Sequence, residues 1–225
     1  RAMIPSRKTR KVRIGSLEIG GDAPIAVQSM AATRTQDRAA TRRQLELLQA
    51  AGADVIRVAI DSPKDAEALA EITDGIDVPL SVDLQENYRL AELVGPLVDK
   101  LRYIPGHLLH HEKQKSVEDK VRWIAETARA HGCAIRIGVN AGSIAPEYKE
   151  RFGDDDVAAL VQCAVDHCAL LDRFDFSDYV VSLKDSDPKH VGDVNTRFAD
   201  ARPDVPLHLG VTEAGIPPEG VIKTR

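Results

Sequence analysis

Strand-like and helix-like patterns alternate along this chain from residue 24 onward. The strand-like runs are short and alternate apolar with polar side chains, whereas the helix-like runs repeat apolar residues every three or four positions. We predict seven strands, at residues 25–30, 54–60, 79–84, 100–104, 134–140, 179–184 and 207–212. Strict alternation of strands with helices indicates a parallel sheet that is covered by helices.

Several of the predicted helices begin with capping signals. Ser62 is followed by Pro63 and, three residues on, by Asp65, and Ser116 is followed in the same way by Asp119. A serine with an acidic residue three positions later is typical of a helix N-terminus, and so is proline at the first helical position. We predict helices at 37–51, from 62 onward, and at 88–94, 116–131, 156–171 and 188–199.

Two architectures fit this alternation, an open doubly wound sheet and a TIM-type (β/α)8 barrel. The loop after the first strand, at residues 31–36, lacks a G-x-G-x-x-G fingerprint, which favours the barrel. A barrel of this type has eight units in about 250 residues. Because this chain of 225 residues supplies seven, we predict an α/β barrel truncated after seven βα units. We expect both chain ends to be cuts, with the eighth strand beyond Arg225.

The barrel domain is predicted to span residues 24–225, after an N-terminal arm at residues 1–23. The arm is basic and contains two strand-like pieces, which predict a hairpin that closes one end of the domain; a transit-peptide remnant is the alternative. The truncated sheet would leave an unpaired edge between its first and last strands. Unpaired edges pair with other chains, so we expect the fragment to be unstable or to associate.

Composition excludes several classes of protein. A net charge of −5 and 4% aromatic residues argue against nucleic-acid binding, and no apolar run has the length of a membrane span. The three cysteines follow no disulfide pattern, which indicates a reducing compartment. We expect them to be small core residues, namely Cys133, Cys163 and Cys168.

Metal sites are not predicted within this chain. No C-x-x-C occurs, so neither a zinc site nor an iron–sulfur site can be built from these residues alone. His107, His110 and His111 share a loop, but no carboxylate or cysteine pattern frames them as a metal site.

Splitting each strand by parity separates an apolar face from a polar one. We predict that the apolar set packs beneath the helices, including Ile25, Val27, Leu207, Leu209 and Val211. The polar set would point inward; its members are Gln28, Arg57, Ser81, Asp83, Arg102, Arg136, Asn140, Ser182, Lys184, His208 and Thr212, followed by Glu213. Barrel interiors are normally filled with branched apolar side chains, so a polar lining predicts a ligand site at the carboxyl ends of the strands.

The charge of this lining indicates what kind of ligand it binds. Its four cationic side chains outnumber its two carboxylates, which leaves a surplus of about two positive charges. Buried charges need compensation, so the ligand should be an anion with about two negative charges. Arginine forks match phosphate oxygens in a bidentate way. The lining therefore predicts a diphosphate or bisphosphate ligand, with a purely structural ion network as the alternative. The charged members are Arg57, Arg102, Arg136, Lys184, Asp83 and Glu213.

Six sequence blocks occur in a recognisable order. They are V-Q-S-M at 27–30, V-I-R-V-A at 55–59, K-L-R-Y-I-P-G at 100–106, I-R-I-G-V-N-A-G-S at 135–143, V-S-L-K at 181–184 and L-H-L-G-V-T-E-A-G at 207–215. From about Arg7 to Arg225, the chain resembles the N-terminal barrel domain of the 4-hydroxy-3-methylbut-2-enyl diphosphate synthase family, the flavodoxin- or ferredoxin-dependent GcpE/IspG family.

The resemblance implies an oxidoreductase. That family reductively opens and dehydrates 2-C-methyl-D-erythritol 2,4-cyclodiphosphate in non-mevalonate (MEP) isoprenoid biosynthesis. It also implies a 4Fe-4S cluster on a separate C-terminal domain that this chain lacks, electrons from reduced ferredoxin or flavodoxin, and a homodimer in which one subunit's barrel faces the other's cluster domain. The expected location is the bacterial cytoplasm, or a plastid in a photosynthetic eukaryote. Alone, this chain should bind substrate without cofactor or turnover.

The resemblance also implies roles for individual residues. The residues that would grip the diphosphate are Arg57, Arg102, Arg136 and Lys184, with hydrogen bonds from Asn140, Ser182, His208 and Thr212. Glu213 would donate the proton to the departing water, and Asp83 would orient an arginine or a substrate hydroxyl. One block departs from the family, because Gln85 and Glu86 stand where His and Phe are usual.

Two other functions remain compatible with the residues. One is a non-redox barrel enzyme of the dihydropteroate synthase type that binds a pterin diphosphate, and the other is a non-catalytic anion-binding module. The surplus of arginine favours a smaller and more anionic ligand than a pterin. A C-x-x-C followed by a further cysteine downstream of Arg225 would support the synthase over both.

Overall fold

The computed structural model describes residues 7–216 and 218–224. Residues 1–6 of the predicted basic arm lie outside the described residues. In chain order the elements are β1 Val12–Ile14, β2 Leu17–Ile19, β3 Gln28–Met30, α1 Arg38–Ala50, β4 Val55–Ile60, α2 Pro63–Ile72, β5 Leu80–Leu84, α3 Leu90–Val94, β6 Lys100–Tyr103, α4 Val117–His131, β7 Ala134–Asn140, α5 Pro146–Phe152, α6 Asp156–Arg173, β8 Tyr179–Lys184, α7 Pro188–Ala201 and α8 Glu219–Thr224. Short 3-10 turns occupy Gly95–Leu97, Pro105–Leu109 and Ala141–Ser143.

A parallel sheet forms the centre of the molecule. Its six strands lie in the order β3-β4-β5-β6-β7-β8, so each strand pairs with the next one along the chain. Lys100 Nζ on β6 donates to Gln28 Oε1 on β3 at 2.6 Å, although β4 and β5 lie between these strands. In a flat sheet strands three places apart are separated by about 14 Å. The sheet therefore curls round on itself, and the prediction of an α/β barrel architecture is confirmed.

The predicted last strand, at residues 207–212, is wrong in its extent. Only Leu207 forms a bridge, with Val181 on β8, and Leu209 is 67% exposed. Two further backbone contacts hold the segment alongside β8, from His208 N to the Val181 carbonyl and from Thr212 N to the Asp185 carbonyl. A cavity of about 660 Å³ lies between α7 and this segment, so Leu209 lacks the helix packing that was predicted, whereas Leu207 packs against the core.

The first strand of the sheet is also shorter than predicted. β3 begins at Gln28, and the two apolar residues that precede it are exposed, Ile25 at 95% and Val27 at 60%. Both lie at the edge of the sheet, and Ile25 borders a cavity of about 530 Å³ between β3 and the segment at Leu207, so the helix packing that was predicted for them is wrong.

The N-terminal hairpin lies against the amino ends of the later strands. β1 and β2 pair in antiparallel fashion, and Val12 and Ile14 are buried against Ala134 and Val180. Arg7 fastens the segment before the hairpin by donating to three backbone carbonyls near the end of α7. The hairpin therefore covers the end of the sheet opposite the carboxyl ends of its strands. The division of the chain at residue 23 stays a prediction.

The capping signals in the sequence correspond to helix starts. Asp65 Oδ2 accepts from the backbone N–H of Ser62 at 2.8 Å and of Asp61 at 3.1 Å, at the start of α2. Ser116 Oγ accepts from the N–H of Asp119 at 3.0 Å at the start of α4. The helix α5 was not predicted, and α6 continues two residues past the predicted end at 171.

The apolar core lies between the sheet and the helices that cover it. Ile56, Val58 and Ile60 of β4 are almost fully buried there, and β5 to β8 contribute apolar residues in the same alternation. All three cysteines belong to this core as free thiols, which confirms their predicted role as small core residues. Within the described part of the chain, no helix is long and apolar enough to cross a membrane.

Candidate anion-binding site

Three arginines share one carboxylate inside the curled sheet. Asp83 on β5 is 2% exposed, and its Oδ2 lies 3.0 Å from Arg102 Nη1 and 3.4 Å from Arg57 Nε. Its Oδ1 lies 3.3 Å from Arg136 Nη2. Four neighbouring strands, β4 to β7, thus contribute one charged residue each to a single cluster.

The strand register explains why these side chains meet. Asp83 is the register partner of Arg102, and Arg102 is the partner of Arg136. Arg57 pairs with Ser81, two residues before Asp83 on the same face of β5. Because register partners on adjacent strands point to the same side of a sheet, the four charged groups converge on the inner face.

The cluster carries excess positive charge in a largely buried region. Arg136 is 0% exposed, and burial lowers its pKa well below the ordinary value for arginine; Arg102 is shifted in the same direction by the same cause. The Nε atoms of both side chains are buried and have no hydrogen-bond partner among the described residues. Buried donors are normally paired, so these two atoms indicate an anionic acceptor that completes the site.

Two lysines extend this positive lining. Lys184, at the end of β8, was predicted to belong to the site, whereas Lys100 on β6 was missed. Both have a pKa lowered to about 7, first by burial and then by the nearby charge of Arg136 and Arg57. Lys100 has the same strand parity as Arg102, so the alternation that identified Arg102 could also have identified Lys100.

Two of the four predicted hydrogen-bonding residues contact the arginines. Ser182 Oγ accepts from Arg136 Nη1 at 3.1 Å. Asn140, with its amide oxygen turned toward Arg102, accepts from Nη2 at 3.1 Å. Both residues therefore hold guanidinium groups in fixed orientations within the cavity.

The remaining predicted residues belong to the segment after α7. Burial, followed by the charges of Arg136 and Lys184, lowers the pKa of His208, which keeps this imidazole neutral. Thr212 is half-buried, and Glu213 is exposed with φ at 51°. No hydrogen bond or ion pair joins Thr212 or Glu213 to the arginines within the described residues, so their roles stay predictions.

Two glycines leave room for the cationic side chains. A Cβ atom at Gly138 on β7 would lie 2.2 Å from Arg102 Nε, closer than atoms in contact can approach. A Cβ atom at Gly210 would lie 3.1 Å from Lys184 Nζ. Both glycines were missed in the sequence as site residues, because their role is to leave space rather than to bind.

Gln85 and Glu86, which were predicted to depart from the family pattern, directly follow the carboxyl end of β5. The Gln85 carbonyl lies 2.9 Å from His107 Nδ1, and the Glu86 carboxylate lies 3.4 Å from the same atom. Glu86 also contacts His110, whose ring stacks on that of His107 with the centroids 5.4 Å apart. The described residues contain no group of three or more metal-binding side chains arranged around one point.

Comparison with known protein families agrees with the sequence blocks. The model of the GcpE TIM-barrel domain matches residues 9–225, which is nearly the whole chain. The chain belongs to the GcpE TIM-barrel domain family. This GcpE barrel is similar over 99% of its length, at 57% identity, to the 4-hydroxy-3-methylbut-2-en-1-yl diphosphate synthase (flavodoxin) of Rhodopirellula baltica. The enzyme with the same name from Chromohalobacter salexigens is 43% identical over 98% of the chain.

The GcpE barrel corresponds to only part of these relatives. It covers 58% of the length of the protein from Rhodopirellula baltica and 58% of the one from Chromohalobacter salexigens. The chain therefore spans somewhat more than half of the curated proteins that it matches.

Solved structures that resemble the GcpE barrel share its fold. The dihydropteroate synthase of Stenotrophomonas maltophilia superimposes with a TM-score of 0.62 over 88% of this chain and 76% of that one, at 14% identity. The hydroxymethylglutaryl-CoA lyase of Pseudomonas aeruginosa covers 97% of this chain and 74% of its own, with a TM-score of 0.54 and 17% identity. At such low identity the likeness shows the fold alone.

Proposed function

We propose that this GcpE barrel is the substrate-binding part of an enzyme that reductively opens and dehydrates 2-C-methyl-D-erythritol 2,4-cyclodiphosphate to 4-hydroxy-3-methylbut-2-enyl diphosphate. The observation that carries the proposal is the cluster in which Asp83 alone faces Arg57, Arg102 and Arg136. Three guanidinium groups with one carboxylate leave about two positive charges in a largely buried cluster, and such charges are costly unless an anion compensates them. A cyclic diphosphate carries two negative charges and would supply that compensation.

The relatives support the chemical class of the ligand. Their name states that they synthesise a diphosphate and that they use flavodoxin. Because this chain covers 58% of the length of each of these two relatives, the complete reaction is proposed for the full-length protein. We extend to that full-length protein the reduced flavodoxin or ferredoxin as electron donor, a homodimer as its assembly and the cytoplasm as its location.

The residues of this chain would bind and orient the substrate. Arg102 and Arg136 would present their guanidinium groups to phosphate oxygens, and Lys184 would add a positive charge beside them. Asp83 would hold the guanidinium groups apart and in place. Glu213, at the end of the segment that runs beside β8, would donate a proton to the departing hydroxyl group, which leaves as water, once substrate is bound.

The cysteines of this chain do not fit an iron–sulfur cluster. Cys133 begins the approach to β7, whereas Cys163 and Cys168 lie on α6, and all three are packed among apolar side chains. Burial raises the pKa of each thiol, while cluster ligands are thiolates. The 4Fe-4S cluster of the proposed enzyme would therefore need ligands from outside residues 1–225.

Calorimetric titration of the chain with the cyclodiphosphate tests the proposal, with the Arg136→Met variant. Loss of a buried charge-assisted hydrogen bond costs about 1.5–3 kcal/mol, so we expect binding to weaken by about 10- to 100-fold. The matched control is Arg122→Met, since Arg122 is an exposed residue of α4 that pairs with Glu118. Its affinity should equal that of the parent chain.

A pterin diphosphate serves as the competing ligand in the same titration. Tight binding of the pterin compound with no binding of the cyclodiphosphate would contradict the proposal, and so would equal affinity of the parent chain and a folded Arg136→Met variant. Circular dichroism establishes that each variant is folded before it is titrated.

A further inference from the structure

Two lysines of the lining lack a carboxylate partner. Lys100 is 2% exposed, and its Nζ donates to the neutral Gln28 Oε1 at 2.6 Å. Lys184 Nζ lies against the backbone at Gly210, where an added Cβ would be 3.1 Å away. Among the described residues neither lysine forms an ion pair, and the carboxylate that acts on both, Asp83, is already shared by three arginines.

The groups that face these lysines are mostly cationic. Lys100 on β6 faces Arg57 from β4, Arg136 from β7 and Lys184 from β8. The carboxylate that faces it, Asp83 from β5, already contacts three guanidinium groups. On the remaining sides lie Gln28 of β3 and the imidazole of His208, both neutral.

Lys184 has nearly the same surroundings. Burial is the largest cause that lowers the pKa of its ammonium group, and the charges of Arg136, Arg57 and Arg102 lower it further. The charge of Asp83 raises it. Protonation of both lysines would give the lining five cationic side chains with one carboxylate. In a cavity that holds no anion this state is electrostatically unfavourable.

We propose that Lys100 and Lys184 take up protons from solvent when an anion enters this cavity, so that binding of the ligand and protonation of the two amines occur together. The inference rests on the proposed function, because the anion is the proposed cyclodiphosphate. It adds Lys100 to the site as a positioning residue that lies beneath the arginines and responds to the ligand through its charge. Each amine gains one proton, and no other bond is made or broken.

The pKa values of the two lysines in the ligand-free chain determine how affinity for the anion depends on pH. With a pKa of about 7, both lysines are largely neutral at about pH 8 and largely charged at about pH 6. The negative charge of the ligand raises both values toward the ordinary one. Binding should therefore take up close to two protons at about pH 8 and far fewer at about pH 6. Affinity should fall as pH rises above neutrality, by up to tenfold per pH unit for each proton.

Calorimetry in two buffers that differ in ionisation enthalpy measures the number of protons directly. The cyclodiphosphate is a suitable ligand because its phosphates are diester-like and do not titrate near neutral pH. Heat that depends on the buffer at about pH 8, and much less at about pH 6, supports the proposal. If the cyclodiphosphate binds with the same heat in both buffers at both pH values, the proton uptake is overturned. The proposed function stands in that case, because the ligand still binds. Absence of any binding would instead count against the proposed function.

A variant and a spectroscopic titration identify which side chains take up the protons. In Lys100→Met the uptake at about pH 8 should decrease by about one proton, whereas Lys11→Met, at an exposed lysine paired with Glu18, should leave it unchanged. The 13Cε resonances of labelled lysine in the unaltered chain should show two groups that titrate near pH 7 without ligand and at higher pH with it. If proton uptake is unchanged in Lys100→Met, or if the lysine resonances do not respond to ligand, the protons are not taken up by these two lysines and the proposal is wrong.

Discussion

At position 138 the backbone of β7 comes so close to Arg102 that only a hydrogen atom fits between them. We predict that Gly138→Ala displaces the Arg102 guanidinium, because the new Cβ would lie 2.2 Å from its Nε atom. Overpacking of this kind costs about 1–3 kcal/mol of stability, and affinity for the cyclodiphosphate should fall as the guanidinium moves. Thermal melting and calorimetric titration measure the two effects.

Gly142 provides a matched control for that substitution. It lies four residues further along, in the turn Ala141–Ser143, and an added Cβ there meets nothing within 4 Å. Gly142→Ala should keep the parent melting temperature to within a few degrees and the parent affinity. If Gly138→Ala behaved like Gly142→Ala, Arg102 would have room to move, and the tight fit would not matter for binding.

Strand parity predicted a large part of the site at the level of single residues. Asp83, Arg102 and Arg136 alternate with buried apolar neighbours, so the sequence alone places them on one face. Lys100 follows the same rule and was missed because the charge count took only Arg102 from that strand. Glu213 could not be placed by parity, since its φ of 51° belongs to an irregular segment in which alternation has no meaning.

The start of α2 offers a test at the scale of one element. Asp65 is buried, and one of its oxygens accepts from two backbone N–H groups and from Ser62 Oγ. Asp65→Ala would leave these donors unpaired, so we expect a loss of about 1–2 kcal/mol in the free energy of unfolding by urea.

Glu67, exposed on the same helix, is the control for this measurement. Glu67→Ala should change the free energy of unfolding by less than about 0.5 kcal/mol. Equal effects of the two substitutions would show that the capping contacts of Asp65 contribute nothing specific to α2.

The strands whose limits the sequence predicted best are those paired with a neighbouring strand along both edges. β5 and β7 were predicted within one residue because each is paired along both edges and covered by helices. The runs at residues 25–30 and 207–212 have the same alternation but lie at the two ends of the sheet. A pattern of side chains records which face can be buried, whereas the length of a strand depends on partners that the pattern does not contain.

The exposed edge of the sheet has consequences for the whole molecule. Ile25 and Leu209 present apolar side chains to the cavity between β3 and the segment at Leu207, and Val27 is exposed at the same edge. We predict that the chain associates as its concentration rises, because unpaired edges and apolar patches pair with other chains. Sedimentation velocity over a range of concentrations measures this association.

A lysine at the edge should suppress that association. Val27→Lys places a charge beside the unpaired strand, a device that natural edge strands use. Leu47→Lys is the control, because Leu47 is 59% exposed on α1, away from the sheet edge. Monomeric behaviour of the parent chain at all concentrations, or equal suppression by both variants, would contradict the prediction.

The burial of every thiol makes this chain convenient for site-specific probes. With Cys133, Cys163 and Cys168 enclosed in the core, a maleimide reagent should leave the native protein unlabelled. A single cysteine introduced on the surface could then carry a spin label or a fluorophore without removal of the natural ones. Paired labels on β3 and on the segment at Leu207 would report the width of the gap between them in solution.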